Sequence, residues 1–355
     1  MSYFEELEKL LEAVVIQNGS DIHISVGRHP TLRVDGALIP LIKKPILNGE
    51  DALGLIQALL NEEQFNRFLK EKELDFSYSF RDRARFRANV FFQRGFAGAA
   101  LRLIPAKIKT IEELNLPPVL REFARYSQGF FLVVGPTGHG KTTTLAALVD
   151  EINHQRDEHI ITIEDPIEYL FSQSRSIINQ REVGIDTANF HKALRSMFRE
   201  DIDVAMIGEM RDPETMSAAV TAAETGHLVF STLHTNSATQ TIDRIIDSFP
   251  SSQQSQIRIQ LASSLIGIVS QRLIPRISGG LIPAVEVMIA NSAIRNLIRE
   301  NKTHQLDLVI DTSFQEGMVS LNRSLADLTR RKEISLENAM IYSTNPSELR
   351  LLLKK

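Results

Sequence analysis

The sequence predicts an α/β protein with two domains, a small α+β domain followed by a larger domain built around a parallel sheet. In the second part of the chain, four short apolar runs alternate with helical segments, which is typical of buried parallel strands. These runs are 130–135, 160–164, 204–209 and 227–234. A chain of 355 residues also exceeds what one hydrophobic core usually serves, so two domains are expected.

The N-terminal domain is predicted to begin with an amphipathic helix that Ser2 and Glu5 start as a capping box. Short segments of alternating polarity then indicate strands over 21–41, a helical pattern follows over 51–71, and strands return over 74–104. The apolar residues of the first helix recur at helical spacing. They are Phe4, Leu7, Leu10, Leu11, Val14 and Val15.

Prolines and charges interrupt this pattern over 104–120, which indicates a linker. We therefore predict an N-terminal domain over 1–105, a linker over 106–120 and a C-terminal domain over 121–355. Helices are expected to dominate from about residue 240 onward, with the SGG turn at 278–280 marking a break.

Composition excludes several functional classes. The chain contains no cysteine, which excludes disulfides, thiolate metal sites and cysteine nucleophiles. A net charge of -4 provides no global positive field, so nucleic acid is not the expected partner. The N-terminal sequence carries acids where an export signal needs bases, and no segment is apolar enough to span a membrane. A cytoplasmic location is therefore expected.

The segment GPTGHGKT matches the phosphate-binding pattern Gly-x-x-x-x-Gly-Lys-[Ser/Thr] between a predicted strand and a predicted helix. In such a loop the backbone N–H groups surround phosphate oxygens, Lys141 neutralises phosphate charge, and Thr142 offers a hydroxyl to Mg²⁺. ATP and Mg²⁺ are the expected ligands; the alternative is a structural glycine turn with a surface lysine. The predicted nucleotide-binding residues are Gly135, Pro136, Thr137, Gly138, His139, Gly140, Lys141, Thr142 and Thr143.

Acidic residues end two of the predicted strands. Glu209 directly follows one apolar run in a Walker-B-like position, and Glu164 with Asp165 ends another. At the carboxyl edge of a parallel sheet these carboxylates can hold the metal and orient a water molecule. The alternative for each is a helix N-cap. Asp212, which a proline follows, is predicted to be such a cap.

Two histidines bracket the fourth predicted strand. Seven-residue spacing along a strand places His227 and His234 on opposite faces, so they do not form a metal-binding pair. We interpret His234 as a sensor of the γ-phosphate, with a structural histidine as the alternative.

The segments GPTGHGKTTTLAAL, TIEDPIEY, LRSMFREDIDVAMIGEMRD and TAAETGHLVFSTLHTNSA resemble, in order and spacing, the Walker A, Asp, Walker B and His boxes of the secretion and pilus motor ATPases. The segment AIRNLIRE, at 293–300, resembles the signature of the PilT-type pilus retraction motors. GSDIHISVG and RFRANVFFQRG are also similar to that family, so the resemblance covers nearly the whole chain.

The resemblance implies an N-terminal PAS-like domain, a RecA-like P-loop ATPase domain, and a homohexamer whose ATP sites lie between subunits. It implies a motor that powers type IV pilus retraction, and hence twitching motility, at the inner-membrane pilus base, with a platform protein as its partner. Glu209 would orient or activate the attacking water, Glu164 would assist at the Mg²⁺ ion, and His234 would sense the γ-phosphate.

Roles for several arginines also follow from the resemblance. Arg87 and Arg102 match arginines that reach a neighbouring subunit's nucleotide, and Arg195 and Arg199 match conformational couplers. In AIRNLIRE the apolar residues share one helical face, which leaves Arg295 and Arg299 as exposed coupling residues. The alternative for this helix is ordinary core packing.

The chain departs from the family pattern at His139, where a small serine is common, and at Ile202, which replaces a proline. Its tail, NPSELRLLLKK, is more similar to accessory relatives of the retraction motors. An accessory subunit with weak turnover is therefore one alternative function. A pilus-extension or type II secretion assembly ATPase is another, although those motors commonly carry an added N-terminal domain and a four-cysteine zinc insert.

Overall fold

A computed structural model describes residues 2–34, 36–81, 84–104 and 107–354. The chain divides into two compact units. The N-terminal unit contains the described residues up to Lys107 together with Pro166–Leu170, and the C-terminal unit contains the remainder. Residues 105 and 106, where the sequence-based boundary falls, lie outside the described residues.

The helices of the N-terminal unit are α1 (Tyr3–Ile16), α2 (Gly49–Leu59) and α3 (Glu62–Glu71). The predicted capping box is confirmed: Ser2 Oγ accepts from the Glu5 N–H, and the Glu5 carboxylate accepts from the Ser2 N–H. The helix predicted over 51–71 is two helices. Asn61 caps the second helix: its side-chain oxygen accepts a hydrogen bond from the Gln64 N–H. This bond satisfies one of the N–H groups that have no partner within the helix at its start.

The sheet of the N-terminal unit has the order β3-β2-β1-β6-β5-β4, and each neighbouring pair is antiparallel. Its strands are β1 (Asp21–Ile24), β2 (Thr31–Val34), β3 (Ala37–Pro40), β4 (Glu73–Phe80), β5 (Ala84–Gln93) and β6 (Phe96–Ile104). Helices and strands share one core, which includes Leu10, Ile22, Leu55 and Leu101. The predicted α+β fold of this part of the chain is confirmed.

The C-terminal unit contains a sheet with helices packed on both of its faces. Its strands are β7 (Gly129–Val134), β8 (His159–Glu164), β9 (Ile177–Glu182), β10 (Val204–Ile207), β11 (Leu228–Leu233), β12 (Leu265–Pro275) and β13 (Leu281–Ile289). The helices before β12 are α4 (Leu120–Arg125), α5 (Lys141–Gln155), α6 (Phe190–Met197), α7 (Pro213–Glu224), α8 (Ala238–Asp247) and α9 (Ser251–Ser264). Those after β13 are α10 (Ser292–Arg299), α11 (Leu306–Thr312), α12 (Leu321–Arg330), α13 (Leu336–Tyr342) and α14 (Pro346–Lys354).

The strand order of this sheet is β13-β12-β7-β11-β10-β8-β9. Every neighbouring pair is parallel except β12 and β13, which form an antiparallel hairpin. The four strands that the apolar runs predicted are present. Because parallel strands end at one edge, Val134, Glu164, Ile207 and Leu233 bring the residues that follow them to the same side of the sheet.

The β12–β13 hairpin lies in a region for which the sequence predicted mainly helices, so the hairpin itself was not predicted. Leu265 begins β12 directly after α9 ends at Ser264, so no glycine or proline separates helix from strand. A short, continuous apolar run also fits a buried helix as well as a buried strand. The predicted SGG break is the hairpin turn, where Gly279 and Gly280 have φ values of +90° and +75°.

The side chains of β7 alternate between two cores. Phe130, Leu132 and Val134 join the core under α6, α7, α8, α9 and α10, whereas Phe131 and Val133 join the core under α4 and α5. Burial on both faces explains why the strand is apolar at every position. β7 is therefore a fully buried support for the loop that follows it at the carboxyl edge of the sheet.

Candidate nucleotide-binding site

The phosphate-binding loop connects the end of β7 to the start of α5. Gly135, Gly138 and Gly140 have φ values of +146°, +80° and +79°, which residues with a Cβ rarely adopt. Gly140 is the N-cap of α5 and has no side chain to cap the helix. The first N–H groups of α5 and the positive end of its dipole are therefore available to bind an anion.

Lys141 lies inside this loop. It is only 7% exposed, and its Nζ donates to the carbonyl oxygens of Gly135 and Pro136 at 3.0 Å each. Carbonyl oxygens are weaker acceptors for an ammonium group than phosphate oxygens are. The loop thus holds the lysine where a bound phosphate would take over these bonds.

His234 connects the phosphate-binding loop to Glu209. Its Nδ1 lies 3.2 Å from Thr137 Oγ1 and 3.4 Å from Lys141 Nζ, and its Nε2 lies 3.3 Å from Glu209 Oε2. Because an ammonium group only donates, Nδ1 accepts, and the ring proton is assigned to Nε2, facing the carboxylate. The structure thus brings together four residues that the sequence predicted as site residues.

The two predicted acidic residues differ in their surroundings. Glu164 is 2% exposed and accepts from Thr162 Oγ1 at 2.7 Å and from Gln180 Nε2 at 3.3 Å. Glu209 forms an ion pair with Arg211 in addition to its contact with His234. Asp165 is exposed, and no helix begins at it, so the N-cap alternative for Asp165 is wrong.

Thr142 and Thr143 lie in the first turn of α5, and both are partly buried. Within the described part of the chain, no group of three or more histidine, aspartate and glutamate side chains forms a metal cluster. A Mg²⁺ site here would instead combine the Thr142 hydroxyl with the carboxylates of Glu164 and Glu209, which are hard oxygen donors of the kind that Mg²⁺ prefers.

Arg87 and Arg102 both lie in the N-terminal unit and stand opposite each other on β5 and β6. Arg102 Nε donates to Asp21 Oδ1 at 2.9 Å, and Arg87 lies 3.6 Å from the Glu168 carboxylate. The side chain of Arg102 remains 71% exposed and that of Arg87 remains 44% exposed. The sheet thus presents two neighbouring guanidinium groups at its surface.

Arg195 lies in the last turn of α6 and Arg199 two residues beyond its end, and both side chains are exposed. α6 packs on the sheet through Ala193, Leu194 and Met197. The two predicted coupling arginines therefore lie on an accessible surface of a helix that is itself anchored in the core.

The structure places Arg295 differently from its prediction. The segment forms α10 as expected, with Ile294 and Ile298 fully buried, but Arg295 is not an exposed residue. Its Nε donates to Ala290 O at 2.8 Å, and its Nη1 donates to Ser263 O at 2.5 Å. The guanidinium group thus satisfies one carbonyl in the last turn of α9 and one directly after β13. Arg299 is exposed as predicted.

Two polar residues of the site were not found from the sequence. Arg211 pairs with Glu209, and this hydrogen bond raises the pKa of the arginine. Gln271 is 3% exposed and contacts the phosphate-binding loop and α5 from β12. Arg211 lies two residues after Glu209, so its position beside the Walker-B-like strand was a usable signal. Gln271 lies in the hairpin that was not predicted from the sequence.

A mainly parallel sheet with helices on both faces and a phosphate-binding loop at its carboxyl edge defines a RecA-like P-loop nucleotide-binding protein. Residues 3–306 match the model of the family described as type II/IV secretion system protein. The chain belongs to this family.

Individual relatives agree with this assignment. The chain is 46% identical to the type IV pilus retraction ATPase PilT of Pseudomonas aeruginosa, over 94% of this chain and 97% of that protein. It is 40% identical to the type IV pilus ATPase PilU of the same organism, over 98% and 91%. A crystal structure of the pilus retraction motor PilT with bound ADP superposes with a TM-score of 0.91 at 47% identity, covering 97% of this chain and 98% of that one.

These relationships confirm the predicted resemblance to the PilT-type ATPases, the predicted fold class and the prediction of a nucleotide-binding ATPase. Among the helices of the described residues, none combines the length and the apolar character that a membrane span requires.

The contacts of Arg295 predict a difference between the two arginines of α10. Arg295→Ala should lower the free energy of unfolding by about 2 kcal/mol, because it leaves carbonyl groups without a charged donor. Arg299→Ala is the matched control and should change stability by less than about 0.5 kcal/mol, because the side chain is exposed. Urea denaturation of both variants measures this difference. Equal stability of the two variants would contradict the assigned contacts.

Proposed function

We propose that this protein is a hexameric, Mg²⁺-dependent ATPase that powers type IV pilus retraction. The observation that carries the proposal is the contact of His234 with both Lys141 and Glu209 at the carboxyl edge of the sheet. This arrangement joins the group that holds the phosphates to the group that acts on water. The match to PilT over nearly the whole of both chains supports retraction as the output.

We assign the residues of the chain to the reaction as follows. The Thr142 hydroxyl and the carboxylates of Glu164 and Glu209 would hold Mg²⁺, which supplies charge neutralisation for the transferring phosphoryl group. Lys141 exchanges its carbonyl partners in the loop for phosphate oxygens. The N–H groups at the start of α5 orient the phosphates. Positioning and charge neutralisation then account for most of the catalysis.

Glu209 is assigned to orient or activate the attacking water. Its present partners are Arg211 and His234, so the carboxylate is held by two donors before any water reaches it. His234 lies between this carboxylate and the loop, and a phosphate that displaces Lys141 would also change the surroundings of its Nδ1. We infer that His234 reports the presence of the γ-phosphate to Glu209 in this way.

The remaining arginines are assigned to contacts between subunits. Arg87 and Arg102, exposed on adjacent strands, would reach the nucleotide of a neighbouring subunit in the ring. Arg195 and Arg199 would couple that site to conformational change. Of the two arginines of α10, only Arg299 is available for coupling to a partner, because Arg295 is engaged by carbonyls within the unit.

We further propose that the N-terminal unit is a PAS-like domain and that the motor acts in the cytoplasm, on an inner-membrane platform protein at the base of the pilus. An assembly ATPase is a weaker candidate, because the cysteine-free sequence has no four-cysteine zinc site. Retraction and assembly predict opposite phenotypes and can therefore be separated in cells.

Deletion of the gene should produce cells with excess static pili and without twitching motility, because filaments would extend but not retract. Pilus number by electron microscopy and colony spreading would be scored together. Complementation with the wild-type gene should restore both, and complementation with Lys141→Ala should restore neither. Cells without pili would instead favour the assembly function, and unchanged motility would favour an accessory role.

Lys141 and Glu209 should give different defects when replaced. Lys141→Ala should lose nucleotide binding, because the phosphate charge is no longer neutralised. Glu209→Gln should still bind Mg·ATP but hydrolyse it at least ~10²-fold more slowly, because it removes the base or orienting carboxylate. Binding of a fluorescent ATP analogue and steady-state phosphate release measure the two steps. Wild-type turnover by Glu209→Gln would contradict this assignment and would make Glu164 the candidate for orienting or activating the attacking water.

A shared site between subunits can be tested by mixing variants. Arg87→Ala and Lys141→Ala should each be inactive alone, since a charge-stabilising arginine is worth ~10³–10⁵ in rate. Mixed rings should regain ATPase activity at interfaces where an intact arginine faces an intact loop. Rings that contain both variants, as verified by mass spectrometry with two tags, but remain inactive would argue against an arginine that acts in trans.

A further inference from the structure

His139 contributes a side chain to the phosphate-binding loop that reaches outside the loop. Its Nδ1 accepts a hydrogen bond from the backbone N–H of Leu273 at 2.8 Å. Leu273 belongs to β12, so the bond joins two segments that are separated by 134 positions in the sequence. The serine that is common at this position has a hydroxyl only one bond from Cβ and is shorter than the imidazole ring.

The neighbouring strands explain why this N–H is available to the loop. β7 ends at Val134, which pairs with Ser270 of β12, and β12 continues to Pro275. On the side of β12 that faces away from β13, the residues after Ser270 therefore run beside the phosphate-binding loop instead of beside β7. A buried N–H group without an acceptor costs free energy, and His139 supplies the acceptor for Leu273.

A second contact fixes the backbone of the same residue. Gln271 Nε2 donates to the carbonyl oxygen of His139 at 2.8 Å, and Gln271 Oε1 accepts from Thr144 Oγ1 at 2.8 Å. Gln271 thus links the loop to the first turns of α5, while the imidazole links the loop to Leu273. Both the main chain and the side chain of His139 are held by β12.

The bond to Leu273 requires a neutral imidazole. A backbone N–H can donate only to an unprotonated Nδ1, so the ring proton lies on Nε2. Desolvation lowers the pKa of His139, and the nearby charges of Arg272 on β12 and Lys141 at the start of α5 lower it further. The surroundings therefore favour the form of the ring that makes the bond.

We propose that His139 is a positioning residue that holds the phosphate-binding loop in its nucleotide-binding conformation by accepting the Leu273 N–H. This inference rests on the proposed function, since it assumes that the loop binds ATP and ADP. The apparent affinity for nucleotide is proportional to the fraction of time that the loop spends in its binding conformation, so a loop that leaves this conformation binds more weakly. Loss of the bond should therefore reduce affinity more than it reduces the turnover of bound ATP.

Three substitutions at one position test the acceptor directly. In His139→Asn the side-chain oxygen can occupy the place of Nδ1, whereas in His139→Gln it lies one bond further out, and His139→Ala has no acceptor. At about pH 8 we expect His139→Ala and His139→Gln to bind ADP about fivefold more weakly than the wild type. His139→Asn should restore most of that loss. Fluorescent ADP titration of the full chain measures affinity, and thermal unfolding without nucleotide verifies that each variant is folded.

The pH dependence provides a readout that a purely steric role would not change. When the pH falls from about 8 to about 5.5, protonation turns Nδ1 from an acceptor into a donor facing the Leu273 N–H, and wild-type affinity should fall. Because desolvation and the nearby charges lower the pKa of His139, the loss should begin at a lower pH than it would for a histidine with the ordinary pKa of about 6.5. His139→Asn does not titrate and should lack this component. His234 remains in both proteins, so the difference between them isolates His139.

Each outcome separates the inference from the proposed function. A wild-type chain that binds no nucleotide would refute the proposed function itself. If the wild type binds and His139→Ala binds equally well, the positioning role is wrong. Equal weakening by Asn, Gln and Ala would also overturn it, because the acceptor position would not matter. An identical pH profile for the wild type and His139→Asn would assign the titration to another group and contradict the neutral-ring requirement.

Discussion

The phosphate-binding loop packs so closely against β12 that residue 135 has no room for a side chain. A Cβ atom on Gly135 would lie 2.3 Å from the carbonyl oxygen of Gln271, a distance that real Cβ atoms essentially never reach. Glycine also tolerates the φ of +146° at this point. The loop therefore depends on its glycines for conformational freedom and on β12 for the surface that selects one conformation.

The same hairpin also supports the loop that carries His234. Ser270 Oγ of β12 donates to Asn236 O at 2.9 Å, and Glu286 of β13 accepts from the Ala238 N–H at 2.7 Å. The hairpin thus holds both loops that meet at Lys141 and His234. A movement of β12 and β13 relative to the parallel strands would change both sides of that contact together.

Much of the site could be predicted from the sequence because its signals are local. The glycine pattern lies between a strand and a helix, Glu209 follows an apolar run, and Asp212 caps α7 with a proline at its first position, as expected. Each of these features is determined by residues within a few positions. The hairpin was missed because its apolar strands follow α9 without a breaker, and periodicity alone does not separate a buried strand from a buried helix.

The contacts of His139 and Arg295 were missed for two different reasons. His139 was recognisable as a departure from the family pattern, but its acceptor role depends on Leu273, which lies in the hairpin. Arg295 was assigned to solvent because helical spacing defines faces without showing which element covers them, and the end of α9 covers this one. Local sequence patterns therefore identify the groups that carry the chemistry. The contacts that orient those groups come from segments far away in the chain, and they become visible only when the neighbours of β7 are known.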